Sequence, residues 1–397
     1  MVDLLSLTRD ELQDLVQSWG APRYRADQIW HWLYRGLAQS PDEMTNLPAA
    51  LRARLLAETT IGGLEPTHRV DAEDGETSKV LLRLADGATI EAVLMHYGTA
   101  DVAEGGSERH TVCASSQVGC AIGCAFCATG RQGWTRDLTV GEISGQVLHF
   151  ERELRRERAH VTNVVFMGMG EPMLNRDAVG RAIRNLNDPK GLGLGARRFT
   201  VSTAGIVPGI LAMAEEMPSV GLAVSLHAPD DVLRDELVPI NRRYPLPGLL
   251  EACRRHVEST GRRVTMEYTM IMGVNDSDGH ARRMADLLRG LLCHVNLIPL
   301  NPIEGCGFQP SSVERVRRFR DILRRAGIPV TVRLRRGTDL RAGCGQLRSA
   351  RGAERNETPY SVPQAEVTAL ASATLEQEQH AHGVTPDGAH RAVDSIR

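Results

Sequence analysis

Between positions 8 and 58 apolar residues recur at helical spacing. "TRDELQDLVQSWG" opens with Thr8 and carries Glu11 three residues on, a capping box, and Gly20 stops the helix. "RADQIWHWLYRGL" sets Ile29, Trp32 and Leu33 on one face, and "PAALRARLLAET" supplies a third helix. The period changes at 77–97, where "TSKVLLRLADGATIEAVLMHY" forms two alternating runs about Asp86-Gly87, a hairpin signal. From 111 to about 336, short apolar blocks alternate with helical stretches; the blocks are 111–117, 161–167, 198–203, 220–226, 264–271, 293–299 and 329–334. Such alternation predicts an α/β fold with a parallel sheet or barrel, whose chemistry sits at the carboxyl ends of the strands. The polar segments "GMGEP", "STAG", "SLHAP" and "PLNP" and a cysteine cluster each follow an apolar block. Residues 351–397 show no core period and read as a disordered tail, with room for one short helix at 364–378.

Composition narrows this picture. The 397 residues are 42% apolar and 24% charged, as in soluble globular proteins. No apolar run approaches the roughly 20 residues that span a bilayer, and the acidic, amphipathic N-terminus is not a secretory signal. The expectation is a cytoplasmic protein with no membrane partner. Eight cysteines then argue for metal or redox chemistry rather than a disulfide scaffold. The net charge of −2 conceals an acidic tail: residues 351–397 hold four Arg and seven acids. Only Lys79 and Lys190 are lysines, and Arg clusters recur at 152–158, 242–243, 254–255, 262–263, 315–325 and 333–336. Arg suits bidentate phosphate contact, so the set permits an RNA partner. Each cluster alone equally fits a solvated helix face.

"VGCAIGCAFCATG" places Cys120, Cys124 and Cys127 within eight positions. The spacing differs from paired Cys-x2-Cys zinc knuckles, although a zinc or structural cluster with a distant fourth cysteine stays open. An iron–sulfur cube held by three thiolates would keep one iron for a small chelating ligand. Phe126 gives that site apolar cover. The hexapeptide "GLGLGA" at 191–196 fits a dinucleotide fingerprint. A helix is predicted before it and a strand after it, the reverse of what that fingerprint needs, so it reads as a turn.

Cys-x3-Cys-x-aromatic-Cys after the first barrel strand resembles the signature of the radical S-adenosylmethionine (SAM) superfamily, and "MGMGEP" resembles the element that holds SAM's amino group there. The resemblance extends over residues 8 to about 348 to RNA adenine-C2 methyltransferases of the RlmN type. It is carried by "YRADQIWHWLY", "MTNLP", "TVCASSQVGCAIGCAFCATG", "NVVFMGMGEPMLN", "LAVSLHAP", "LVPINRRYPL" and "RAGCGQL", in order. It implies a partial (β/α)6 radical SAM barrel at 106–350. An RNA-docking helical domain would occupy 1–62, a hairpin connector carrying Glu91 would occupy 63–105, and the tail 351–397.

The same resemblance implies one [4Fe-4S] cluster on Cys120, Cys124 and Cys127, and two SAM per turnover. SAM would be held by Gly170, Glu171, Ser202, Ser225, Leu226, His227 and Asn301. Cys344 would be methylated and carry the methyl group as a methylene radical to adenine C2. Glu91 would accept the C2 proton, and Cys113 would resolve the adduct through a transient disulfide with Cys344. The implied substrates are 23S rRNA (adenine 2503) and tRNA (adenine 37). The implied reductant is an external electron donor such as flavodoxin or ferredoxin, and the chain would be a monomer. Cys253 and Cys293 read as buried apolar residues, and Cys306 carries no assigned role. Trp19, Tyr24, Trp30, Trp32 and Tyr34 can stack on bases, but their helical spacing fits a core. Three alternatives stay open: the C8-methylating relatives, which use the same cysteines; a radical SAM enzyme of another substrate; and a non-catalytic iron–sulfur or zinc protein that binds RNA.

Overall fold

The computed structural model describes residues 1–98, 109–303, 305–333, 343 and 345–347. The tail 351–397 and Cys344 lie outside the described residues. Strand β1 (Val2–Asp3) pairs in parallel with β2 (Thr59–Thr60) and so brackets three helices, α1 (Arg9–Ser18), α2 (Tyr24–Tyr34) and α3 (Ala49–Glu58). Helix α1 begins at the expected box: the Glu11 amide donates to the Thr8 hydroxyl at 3.2 Å, and the Thr8 amide to the Glu11 carboxylate at 2.7 Å. The buried stripe of α2 differs from the one expected. Ala26, Ile29, Trp30, Leu33 and Tyr34 are buried. Trp32 lies about 130° from the centre of that stripe at ~100° per residue. It is half-buried, and its indole N–H donates to Asn46 at 2.6 Å. Two of the five aromatics considered for base stacking, Trp30 and Tyr34, are therefore core residues, while Tyr24 is 53% exposed.

Three antiparallel strands follow: β3 (Glu65–Asp71), β4 (Thr77–Arg83) and β5 (Thr89–Tyr97). The β4–β5 hairpin turns at Asp86-Gly87 as the pattern predicts, with Gly87 at φ 79° and Asp86 accepting from the Ala88 amide at 2.8 Å. The pattern does not announce β3, a polar edge strand with no buried position to create alternation.

The remainder alternates strand and helix. In chain order it runs β6 (Arg109–Cys113), β7 (Gln117–Gly119), α4 (Ala128–Gln132), β8 (Trp134–Asp137), α5 (Val140–Arg156), β9 (Asn163–Phe166), α6 (Arg176–Asn187), β10 (Phe199–Thr203) and α7 (Val207–Glu216). It continues with β11 (Gly221–Ser225), α8 (Asp231–Leu237), α9 (Leu246–Thr260), β12 (Val264–Met270), α10 (Asp278–Leu287), β13 (Cys293–Pro299), α11 (Val313–Arg325) and β14 (Val330–Val332). One sheet contains the strands in the order β14-β13-β12-β11-β10-β9-β6-β5-β4-β3. From β6 to β14 its neighbours are parallel, which is the expected partial barrel; β5 joins β6 antiparallel, so the hairpin region extends the barrel sheet. The first block is shorter than its sequence suggests. Ser116 and Gln117 both donate their amides to Met169 O, and the chain leaves the sheet to pair β7 with β8.

The N-terminal helices pack into the same apolar core as the barrel. Polar bonds fix the contact. Asn185 on α6 donates to Leu7 O at 2.9 Å, and Arg152 on α5 to Leu37 O at 2.8 Å. The guanidinium of Arg35 donates to Gly191 O and Pro189 O, each at 2.8 Å. The "GLGLGA" turn, set between a helix and a strand, is thus a docking point for Arg35. No helix among the described residues is long and apolar enough to cross a membrane.

His280 makes the fold acid-sensitive. It is buried at the start of α10, its Nδ1 2.8 Å from the Ser277 hydroxyl. Burial, then repulsion from Arg283 and Arg315, lowers its pKa from 6.5 to about 3. The folded chain keeps this ring neutral while the unfolded chain protonates it. Its contribution is therefore complete above pH 6.5 and shrinks as pH falls toward about 3. His280→Gln is expected to flatten the acid limb of stability by up to ~1.4 kcal/mol per pH unit between about pH 6 and pH 4, read from urea midpoints.

Candidate active site

The cysteine loop runs from β7 to the first turn of α4 and is clamped from three sides. Cys120 N donates to Gly133 O at 2.9 Å, Ala125 N to Leu237 O at 3.1 Å, and Ala128 N to Gly345 O at 2.7 Å. Cys127 is the N-cap of α4. Burial, with repulsion from Cys127 and Glu171 adding to it, pushes the Cys120 thiol up to about 12; burial and the neighbouring thiols push Cys124 well above its ordinary range. Two thiols raised in this way, with Cys127 beside them, suit a positively charged inorganic partner, because ionising them together needs compensation. Among the described residues no three His, Cys, Asp or Glu side chains converge on one ion. The three thiols line one cavity together. Three thiolates on one short loop are a donor set that an iron–sulfur cube takes, leaving its fourth iron for a small chelating ligand. Cys306 also lies here, its Sγ 3.4 Å from Ala125 O.

The cavity, of about 150 Å³, is lined by Cys120, Cys124, Cys127, Gly170, Glu171, Ser202, Ser225, His227 and Asn301 among others. Each expected SAM contact except Leu226 is in its wall, and together they come from the carboxyl ends of four parallel strands, β9, β10, β11 and β13. Gly170 sits at φ 101°, and a Cβ there would meet Gln117 at 2.6 Å, so only glycine passes. Glu171 is 3% exposed and ties two loops together, accepting from the amides of Met173 at 3.0 Å and Ala204 at 2.7 Å. Burial raises its pKa to about 7 against the opposing pull of those bonds.

His227 stands at φ 59°, a conformation uncommon for a non-glycine residue. Its Nδ1 accepts from the Thr269 amide at 3.0 Å, and Asn275 donates to its carbonyl at 2.8 Å. Burial, with the nearby Arg234, lowers its pKa to about 3, so the ring is neutral with its proton on Nε2. Phe126 meets it edge-on, ring centres 4.8 Å apart. Leu226 is fully buried and holds the backbone, its amide donating to Glu267 O at 3.0 Å.

Glu91 and Cys113 stand on the adjoining strands and outside that lining. Val93 opposes Cys113 and Leu81 opposes Glu91, so Glu91, Val93 and Cys113 share one face. Cys113 opposes Val165, and Val165 opposes Thr200; that face is therefore the one Ser202 uses. Both residues are 8% exposed, and Lys79 Nζ lies 2.9 Å from Glu91 Oε1. Around Cys344, a side chain on Gly343 would collide with Asn301, and Gly345 lines the cavity. Thr129 donates to Leu347 O at 2.5 Å.

Four residues that the pattern did not single out complete the site. Lys79 partners Glu91. Arg234 is wholly buried and joins the strand-end loops, donating to Ala204 O at 2.7 Å, Ser225 O at 2.9 Å and Leu226 O at 2.9 Å. Gln117 accepts from the Glu171 amide at 2.9 Å. Glu267 lines the cavity. Alternation in "VTMEYTMI" offers a signal for Glu267, since Thr265, Glu267 and Thr269 share a face. Arg234 sits in a helix rich in charge and offers none.

Gly130 tests the seating of the loop. A Cβ there would meet Cys124 N at 2.9 Å and Cys124 O at 3.2 Å, backbone atoms that cannot swing aside. Gly130→Ala is expected to reconstitute to less than half of the about four irons that a cube supplies per chain, with the thermal midpoint little changed. A full iron complement would show that this close approach does not seat the cysteines.

Comparison with known proteins agrees with this geometry. The family model described as the Radical SAM superfamily matches residues 115–285, and that of the ribosomal RNA large subunit methyltransferase N-terminal domain matches residues 2–61. The chain is 48% identical over 351 residues to the probable dual-specificity RNA methyltransferase RlmN of Moorella thermoacetica, covering 88% of this chain and 98% of that one. It is 46% identical over 350 residues to the ribosomal RNA large subunit methyltransferase N of Nitrosopumilus maritimus, covering 88% and 99%. Its fold matches the crystal structure of a radical SAM methyltransferase from Sphaerobacter thermophilus with a TM-score of 0.84 and 54% identity, covering 88% and 99%. The chain therefore belongs to the radical SAM superfamily and, within it, to the RlmN family of dual-specificity RNA methyltransferases.

Proposed function

We propose that this SAM-dependent RNA methyltransferase places its methyl group on C2 of adenine, at adenine 2503 of 23S rRNA and adenine 37 of tRNA. One observation above all supports the reading. The segment that carries Cys344 is bonded to the cysteine loop through Gly345 and Leu347, while Cys113 and Glu91 share a sheet face with Ser202. These contacts support a reading in which a methyl carrier, a resolving thiol and a proton acceptor act together.

When bound, the cluster and SAM supply one-electron bond cleavage and with it a hydrogen-abstracting carbon radical. The chain's residues steer that reactivity. Cys120, Cys124 and Cys127 would hold the cluster through three of its irons. Glu171 beside Gly170 would take the ammonium of SAM, and that cation would offset the cost of burying the carboxylate. Ser202, Ser225, His227 and Asn301 bond its remaining polar groups, and Leu226 sets the backbone between two of them. Adenine C2 lies between two ring nitrogens and is too electron-poor to take a methyl group from a sulfonium directly. Cys344 therefore takes the methyl from a first SAM and delivers it as a one-carbon bridge. Glu91, positioned by Lys79, would accept the C2 proton while the adduct radical gives up one electron, for which the cluster would be the acceptor, leaving a closed-shell thioether between Cys344 and C2. Cys113 as thiolate then attacks the Cys344 sulfur: the S–S bond forms, the S–C bond to the RNA-borne carbon breaks, and that carbon takes up a proton. An external reductant resets the disulfide, and an electron donor such as flavodoxin or ferredoxin feeds the cluster. The enzyme acts as a cytoplasmic monomer.

The deciding experiment is anaerobic reconstitution with iron and sulfide, then SAM, reductant and RNA. 5′-Deoxyadenosine and 2-methyladenine should form together; 8-methyladenine in its place would assign the chain to the C8-methylating relatives. Cys113→Ala is expected to accumulate a covalent RNA–protein adduct visible as a slow band on denaturing gels, and normal turnover would remove its resolving role. Cys344→Ala is expected to lose methyl transfer by at least ~100-fold while SAM cleavage persists. Retained methylation would take Cys344 out of the reaction.

A further inference from the structure

Of the two carboxylates that line the cavity, Glu171 and Glu267, the reaction above leaves the second without a task. Glu267, in the middle of β12, is 4% exposed and lines the cavity. Its Oε1 accepts from Asn296 at 3.0 Å, while Oε2 is buried with no hydrogen-bond partner among the described residues; Arg333, which also lines the cavity, acts on the carboxylate through its charge. The bonding continues outward from there. Asn296 accepts from the Thr331 hydroxyl at 2.6 Å, and Thr331 lies 2.9 Å from His294 Nε2. Strand register produces this chain: Ser225, Glu267, Asn296 and Thr331 oppose one another across β11, β12, β13 and β14. The result is a single polar row whose inner members, Ser225 and Glu267, both line the cavity. One carboxylate oxygen is pinned from behind and the other is left for a ligand, since buried acceptors are rarely left unpaired.

The ligand group must donate a hydrogen bond. SAM offers an ammonium, two ribose hydroxyls and an adenine amino group. The ammonium has to reach the cluster iron, on the side of Glu171. The ribose is the part of SAM that lies between methionine and adenine, and Ser225 is the neighbour of Glu267 in the row. We propose that Glu267 is a binding residue for the cosubstrate's ribose, its Oε2 accepting from one hydroxyl beside Ser225. This assignment rests on reading the cavity as the SAM site.

The test measures dissociation constants by equilibrium dialysis on the anaerobically reconstituted full chain, with SAM, its 2′-deoxy and 3′-deoxy analogues, and an analogue lacking the adenine amino group. The unsubstituted enzyme should bind one deoxy analogue ~10–100-fold more weakly than SAM, the range of one charge-assisted bond. Glu267→Gln should lose a similar factor for SAM and no longer distinguish that analogue, with its cluster absorbance and thermal midpoint intact. Equal binding of SAM and both deoxy analogues by the unsubstituted enzyme would overturn the proposal without reference to any variant. So would a Glu267→Gln protein that keeps the discrimination, or one that loses discrimination only against the deaminated analogue. Glu171→Gln separates the two levels: if it too leaves SAM affinity unchanged, the cavity assignment fails, whereas weak SAM binding by Glu171→Gln beside unaltered Glu267→Gln sinks the ribose contact alone.

Discussion

Arg234 gives its guanidinium hydrogen bonds to Ala204 O, Ser225 O, Leu226 O and Asn241 Oδ1, all within 2.9 Å, and no part of it reaches solvent. Three of these acceptors are carbonyls at the carboxyl ends of β10 and β11, the level at which the candidate site is built. Asn241 is held in turn by Asp231 at 2.9 Å and Asp235 at 2.6 Å. Burial lowers the guanidinium's pKa to about 10, so it remains charged at neutral pH. A buried cation is tolerable only when every donor is met; removing one partner of such a network costs about 3–5 kcal/mol. The strand-end loops therefore have one arrangement that satisfies Arg234, and that arrangement presents Ser202, Ser225 and His227 to a common space.

Glu171 performs the complementary task with the opposite charge. Its two carboxylate oxygens take the amides of Met173 and Ala204, so Ala204 is gripped by Glu171 at its nitrogen and by Arg234 at its oxygen. The cysteine loop attaches to the same frame where Ala125 meets Leu237, the last residue of the helix that carries Arg234. Rigid support of this kind is what one-electron chemistry needs, because a carbon radical is kept selective by position more than by intrinsic preference.

The N-terminal helices depend on the barrel for part of their stability. Arg35, Arg152 and Arg181 spend guanidinium bonds on carbonyls across the contact, and Arg315 and Arg318 both pair with Asp278. Several arginines that look like phosphate-binding clusters in sequence are thus structural. Others stay at the surface against aromatics: Arg25 lies 4.7 Å from the Tyr24 ring centre and Arg54 4.9 Å from that of Trp19. That pairing suits stacking on unpaired bases.

What was legible in the sequence was everything governed by near neighbours. The capping box at Thr8 and Glu11, the hairpin at Asp86-Gly87, the strand–helix alternation and the spacing of Cys120, Cys124 and Cys127 are local patterns with local causes. The wall of the cavity was legible too, because parallel strands place their carboxyl ends together whatever the details. Other features needed the folded chain. Trp30 and Tyr34, not Trp32, face the core because the neighbouring barrel decides which side of α2 is covered. β3 exists only as a partner for β4. The pairing of Glu91 with Lys79, the grip of Arg234 and the polar row through Glu267 join residues far apart in the chain, whose meeting is set by strand register and by the desolvation of buried charge. Period and spacing report the energy of a short segment; register and burial belong to the whole chain, and only the tertiary structure could decide them.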